Sequence, residues 1–284
     1  MSITRVGIIG SGIMGSGIAE VAAANGYEVV LRSRSQSAAD AMVAGLSKSL
    51  SRQVEKGRRT QDEMDEIVGR VSTATELSSL ADCDLVIESV VEDLAVKVAL
   101  FAELDGIVKA DAILATNTST LPVVEMAMAT GRPDKVCGIH FFNPAPAMAL
   151  VEIVRPITAS DETMDVALGF ASSCGKDPVE VKDQAGFIVN ALLFPYLNNA
   201  IRLLEGGVAT KEGIDAAMKG GCGFPMGPFA LLDLVGLDTS LAILDALYDE
   251  FHDANYSAVP LLRRMVTAGQ LGRKSKLGFY DYNK

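Results

Sequence analysis

The fold class that the sequence predicts is α/β, a largely parallel sheet covered by helices, followed by an all-helical domain. Three observations predict it. Short apolar runs alternate with helix-length segments up to about Lys182, a glycine turn joins the first run to a small-residue helix, and strand signals stop after Asp183.

The apolar runs are "VGIIG", "EVVLR", "DLVIES", "AILATN", "VCGIHFF", "LVEIV" and "PVEVK". They read as strands that face covering layers on both sides, which is why they are nearly continuous in Val, Ile and Leu. Between the second and third runs, Ser37 to about Arg58 reads as one unusually long helix. From Gly186 to Gly269 the pattern is helical, punctuated by "GG", "GGCGFPMGP" and "NYSAVP". Two domains are therefore expected, residues 1–184 and 185–284.

The 284 residues are long enough for two cores. Against 25 Lys and Arg stand 36 Asp and Glu, a net charge of -11. That balance disfavours binding to nucleic acid or an anionic membrane, and no apolar run approaches the ~20 residues of a membrane span. Cys83, Cys137, Cys174 and Cys222 are widely spaced, with no zinc or disulfide pattern. The first strand begins too close to Met1 to leave room for a signal or transit peptide. A cytoplasmic location is expected.

Gly10, Gly12 and Gly15 form GxGxxG between the first strand and the helix starting near Ile13. The first glycine permits a tight turn, the second close approach to a pyrophosphate, and the third close packing of helix on strand. The free amides at the helix start, around Ile13 and Met14, then point at the phosphates. This setting makes the sheet Rossmann-type and doubly wound, and a dinucleotide its ligand.

In an NAD site an acid about 20 residues further on accepts from the ribose hydroxyls. Here Ser33 stands in that place, between Arg32 and Arg34. Guanidinium groups and a small hydroxyl suit a 2'-phosphate that a carboxylate would repel, so NADP(H) is expected in preference to NAD(H). The alternative is that both arginines are solvated loop residues.

Polar residues isolated in apolar surroundings are the candidate catalytic groups. His140 lies in "VCGIHFFNPAP", and Glu152 sits inside the apolar strand "ALVEIV", where an unpaired carboxylate is costly. His140 is the obvious partner. A carboxylate on one imidazole nitrogen fixes the tautomer and favours the protonated form, leaving the other nitrogen for proton transfer. Asn117 and Ser119, in the polar turn of "AILATNTSTLP", and Asn190, in "GFIVNALLFPYL", are further candidates.

Together these segments resemble the 3-hydroxyacyl-CoA dehydrogenase family. The likeness covers essentially the whole chain, through "GSGIMGSGIA", "DLVIESVVED", "ATNTSTLP", "GIHFFNPAPAMALVEIV", "DQAGFIVNALLFPYLNNAI", "PMGPFALLDLVGLD" and "LGRKSKLGFYDY". It implies catalytic positions at Ser119, His140, Glu152 and Asn190, with cofactor contacts at Glu92, Lys97 and Asn117. Ser119 and Asn143 are also set against the cofactor. It further implies a helical domain that dimerises and an acyl-CoA substrate oxidised or reduced at C3, with 3-hydroxybutyryl-CoA and acetoacetyl-CoA the expected pair and no metal required. "KSLSRQVEKGRR" places Lys48, Arg52, Lys56 and Arg59 on one face of the long helix, and the resemblance puts CoA contacts at Arg52 and Lys56.

Three positions depart from the family pattern: Ser33 replaces an acid, Thr120 a common serine, and Ala149 a common lysine. Two other readings stay open. A dehydrogenase of a hydroxyacid without CoA commonly uses a lysine in the helical domain, and the helix around Asn190 carries none. A non-catalytic nucleotide binder would have no need of Ser119, His140, Glu152 and Asn190 together.

Overall fold

The computed structural model describes residues 2–283, and the chain divides into two compact units, Met1–Asp183 and Gln184–Lys284. The first unit is built on a sheet of eight strands: β1 (Arg5–Ile9), β2 (Glu28–Arg32), β3 (Val71–Ala74), β4 (Leu85–Glu88), β5 (Ile113–Thr116), β6 (Val136–Phe141), β7 (Leu150–Arg155) and β8 (Asp177–Lys182). Their order is β3-β2-β1-β4-β5-β6-β7-β8. Every pair is parallel except β6 with β7. The chain reverses direction across the sheet between β1 and β4, which creates the crevice where ligands bind in such sheets.

Six helices flank these strands: α1 (Ile13–Ala24), α2 (Gln36–Glu55), α3 (Gln61–Gly69), α4 (Leu94–Asp105), α5 (Val123–Met128) and α6 (Asp161–Ser173). β4, β5 and β6 are buried along their whole length, as their unbroken apolar runs require. Ile8, Ile18, Leu31, Leu46, Ile87 and Ile139 belong to one core that joins α1 and α2 to the sheet. α2 stops at Glu55 and the chain turns through Gly57, so the expected helix to Arg58 is shorter by a turn. A nine-residue helix follows it, α3, opened by a Thr60–Glu63 capping box.

The second unit is helical: α7 (Val189–Glu205), α8 (Lys211–Cys222), α9 (Pro228–Val235), α10 (Leu237–Phe251) and α11 (Pro260–Thr267). Phe194, Leu197, Ile201, Phe229, Leu244 and Leu262 centre its core. Two buried aspartates organise it. Asp215 accepts from the amides of Phe229 and Ala230 at the start of α9, and Asp233 accepts from the amides of Phe279 and Tyr280 near the chain's end. Among the described residues no helix is long and apolar enough to cross a membrane.

Candidate active site

The glycine turn is built as the sequence requires. Gly10 has φ of 128°, and a Cβ there would lie 2.2 Å from the Ser89 carbonyl oxygen at the end of β4. A Cβ on Gly15 would lie 2.2 Å from the Gly10 carbonyl oxygen, so helix and turn touch. At Gly12 a Cβ would meet nothing within 4 Å, leaving open space against the backbone at the N-terminus of α1. No side chain caps that helix, so the amides around Ile13 and Met14 are available to an anion.

A cavity of about 410 Å³ begins at this turn and is lined by Gly10, Gly12, Arg32, Ser33, Arg34 and Val91. Ser33 is 2% exposed, and its buried hydroxyl has no hydrogen-bond partner among the described residues. A buried polar group without a partner calls for one, and Ser33 is among the residues that line the cavity. Arg32 donates from Nε to the Thr75 carbonyl at 3.0 Å, while Arg34 is exposed. The residues fit the adenosine end of a dinucleotide.

The second part of the site lies at the same edge of the sheet. Antiparallel pairing sets His140 directly opposite Glu152, on β6 and β7. His140 Nδ1 is 2.8 Å from Glu152 Oε2, and His140 Nε2 is 3.1 Å from Ser119 Oγ. Histidine and glutamate are 4% and 0% exposed. Because a carboxylate only accepts, it fixes the proton on Nδ1, and Nε2 is left to exchange a proton with the hydroxyl side of the pair. The Phe142 ring packs on the imidazole with centroids 4.6 Å apart.

The turn carrying Ser119 is held from behind. Asn117 Oδ1 accepts from the Phe141 amide at 2.8 Å, tying the end of β5 to β6. Glu92 accepts from the Ser119 amide at 2.8 Å and from the Thr118 hydroxyl. Lys97, with a sequence expectation of touching the cofactor, is only 1% exposed. Its ammonium donates to Glu88 Oε1 at 2.6 Å and lies 3.3 Å from Glu92. It sits beneath the site and does not line the cavity, because the buried stripe of α4 is Lys97, Phe101 and Leu104. Glu88 was not singled out from the sequence. An acid ending the apolar run "DLVIE" carries the same signal as Glu152.

Ile13 and Asn143 line a second groove, of about 500 Å³, whose walls come from α1, α2 and the 143–146 segment. Ala38, Ala41, Gly45 and Ser49 form its α2 side. Arg52 lies further along that face and Lys56 caps the helix, both exposed; Lys48 is on the exposed surface as well. Arg59 departs from the expected stripe: it lies beyond the helix, donating to Gln53 Oε1 at 3.0 Å. Asn190 is in the helical unit, a buried residue in the first turn of α7. Among the described residues no group of three or more His, Cys, Asp or Glu is disposed to hold a metal ion.

A parallel sheet with a phosphate turn at its switch point, an imidazole–carboxylate pair at the same edge and a separate helical unit define a nucleotide-dependent oxidoreductase. The chain belongs to the 3-hydroxyacyl-CoA dehydrogenase family: residues 5–184 match that family's NAD binding domain and residues 186–282 its C-terminal domain. It is 50% identical to a 3-hydroxybutyryl-CoA dehydrogenase of Clostridioides difficile over 99% of this chain and 100% of that one. The crystal structure of Mycobacterium tuberculosis FadB2 superposes with a TM-score of 0.97 at 48% identity, covering 99% of this chain and 100% of that one. (S)-3-hydroxybutyryl-CoA dehydrogenase PaaH1 of Ralstonia eutropha does so with a TM-score of 0.97 at 42% identity, covering 100% of each.

Proposed function

We propose that this protein interconverts (S)-3-hydroxybutyryl-CoA and acetoacetyl-CoA with NADP(H), working in the reductive direction. The Ser119–His140–Glu152 relay carries the reading, and the names of the Clostridioides and Ralstonia relatives support the substrate and its configuration. The bound dinucleotide supplies or takes up the hydride at C3. His140 exchanges the proton on the C3 oxygen through Nε2. Glu152 holds Nδ1–H and stabilises the imidazolium that forms when Nε2 is protonated. Ser119 orients the reacting oxygen.

The NADP(H) preference rests on the orphaned Ser33 hydroxyl between two arginines, where no carboxylate stands to repel a 2'-phosphate. CoA docking along α2 is supported by the groove whose small-residue face continues into Arg52 and Lys56. Homodimerisation through the helical unit belongs to the same reading, supported by exposed Leu192 and Val208, 72% and 69% accessible. Four free thiols support a reducing, cytoplasmic setting.

The test follows reduced nicotinamide absorbance with acetoacetyl-CoA and either cofactor. His140→Ala is expected to lose about 100- to 10,000-fold in turnover while binding cofactor normally. A folded His140→Ala enzyme with wild-type turnover would sink the assignment. Ser33→Asp is expected to move the NADPH:NADH ratio of catalytic efficiencies towards NADH by about 10- to 100-fold, the worth of one charge-assisted contact. Wild-type preference for NADH, or an unmoved ratio, defeats the cofactor reading alone.

A further inference from the structure

We infer that Glu88 is a positioning residue, which acts through Lys97 and Glu92 to hold Ser119 in register with His140. The inference rests on the dehydrogenase reading above. Glu88 is the last residue of β4 and is wholly buried, as is the side chain of Lys97. A carboxylate and an ammonium out of water are costly, and such a pair persists only where its remaining hydrogen-bonding capacity is met. Here it is met from the turn after β4, from α4, and from the last residue of β5, where a second turn begins. Oε1 accepts from the Val90 amide at 2.6 Å and from Lys97, and Oε2 accepts from the Thr116 hydroxyl at 2.8 Å. Glu88 also pairs directly with Thr116 across β4 and β5.

The two turns have different tasks. Residues 89–91 line the dinucleotide cavity. Residues 117–119 carry Asn117 and the Ser119 hydroxyl, and the Asn117 amide donates to the Glu88 carbonyl at 2.8 Å. Lys97 extends the connection, because its ammonium lies between Glu88 and Glu92, and Glu92 accepts from the Ser119 amide. A single buried carboxylate thus fastens the cofactor wall to the turn that presents the serine. Glu92 is 40% exposed at its side chain, so water competes for it, and the buried pair beneath is what fixes its position. Removing the Glu88 charge leaves the Lys97 ammonium to Glu92 alone and draws that carboxylate away from Ser119. Displacements of about 1 Å in a reacting constellation cost up to about 100-fold.

A double-mutant cycle on kcat at saturating cofactor tests this. Glu88→Gln, with its fold checked by circular dichroism, is expected to lower kcat by about 10- to 100-fold. In a Ser119→Ala background the same change is expected to cost less than about threefold, because the group being positioned is gone. Effects on the KM for cofactor, which pass through Val90, are expected in both backgrounds. The inference is overturned if Glu88→Gln turns over within about twofold of wild type, or if more than roughly half of the logarithmic loss survives in Ser119→Ala. Should Glu88→Gln fail to fold, Thr116→Val keeps the shape and removes the hydrogen bond to Oε2, together with the one that Thr116 Oγ1 accepts from the Thr118 amide; Thr116→Ser, which keeps both bonds, is the control and is expected to turn over as wild type. The same non-additivity with Ser119→Ala is required of Thr116→Val, with a smaller loss. Wild-type turnover by Ser119→Ala itself takes down this inference and the serine's proposed role together, whereas additivity with Ser119 still essential takes down this inference alone.

Discussion

Each unit ties one end of the chain down with a buried aspartate, and the two do so under opposite electrostatic conditions. In the first unit Asp84 accepts from the amides of Thr4 and Arg5 and from the Thr4 hydroxyl, and it also pairs with Lys109. In the second, Asp233 accepts from the amides of Phe279 and Tyr280 and from the Tyr282 hydroxyl. Burial pushes the Asp84 carboxyl up, but the Lys109 hydrogen bond and those of the amides outweigh it and hold it well below the usual range. Burial pushes Asp233 above that range, against hydrogen bonds from Tyr280 and Phe279; Lys211 acts on it only through space. Similar amide clasps therefore end with opposite titration behaviour. The touching cation at Asp84 and the deeper burial of Asp233 set the two signs, not the number of hydrogen bonds.

The largest effect that sharpens this comparison is expected from Asp233→Ala. It strands two amides next to the buried Phe279 ring and should cost about 3 kcal/mol in urea unfolding. Asp84→Ala should cost about 2 kcal/mol, since Lys109 is partly exposed and returns to water without penalty. A reversed order would mean that the ion pair, and not the amide clasp, dominates. The smallest effect is in the pH dependence, read by carboxyl carbon shifts in NMR titrations. Asp84, depressed in the fold, contributes stability present above the unfolded carboxylate range and lost as pH falls towards its folded value. Asp233, raised in the fold, contributes stability present at low pH and lost as pH rises through its folded value. Titration of both on the same side of the ordinary range would break the comparison.

How much of this was legible in the sequence depended on contrast. His140 and Glu152 stood out because a polar residue in an apolar strand needs a reason, and the antiparallel pairing of β6 and β7 supplies it. Asn117 and Ser119 stood out differently, in a polar turn at the end of a strand. Glu88 has the character of His140 and Glu152, but as the final residue of a run it reads as a strand end. Lys97 gives no signal of its own, since a lysine in a helix that also carries Glu103 and Asp105 looks like part of its solvent face, and the helix here buries it instead. β3 escaped because Val71–Ala74 is a short edge strand, half exposed, with no apolar run to announce it. The helix expected to reach Arg58 ended early at a glycine, which local periodicity had outvoted.

The antiparallel geometry of β6 and β7 has a bearing on how such a chain tolerates change. His140 and Glu152 face each other across the antiparallel ladder, and the connection between their strands, residues 142–149, helps to set that register. That connection is itself part of a binding wall, because Asn143, Pro144, Ala145 and Pro146 line the groove beside α1 and α2. One residue inserted within either strand turns one partner to the other face of the sheet. The pair is thus brittle to insertions and deletions in its strands, and the loop between them is held by the groove that it lines and by Lys176, which donates to the Ala145 and Met148 carbonyls.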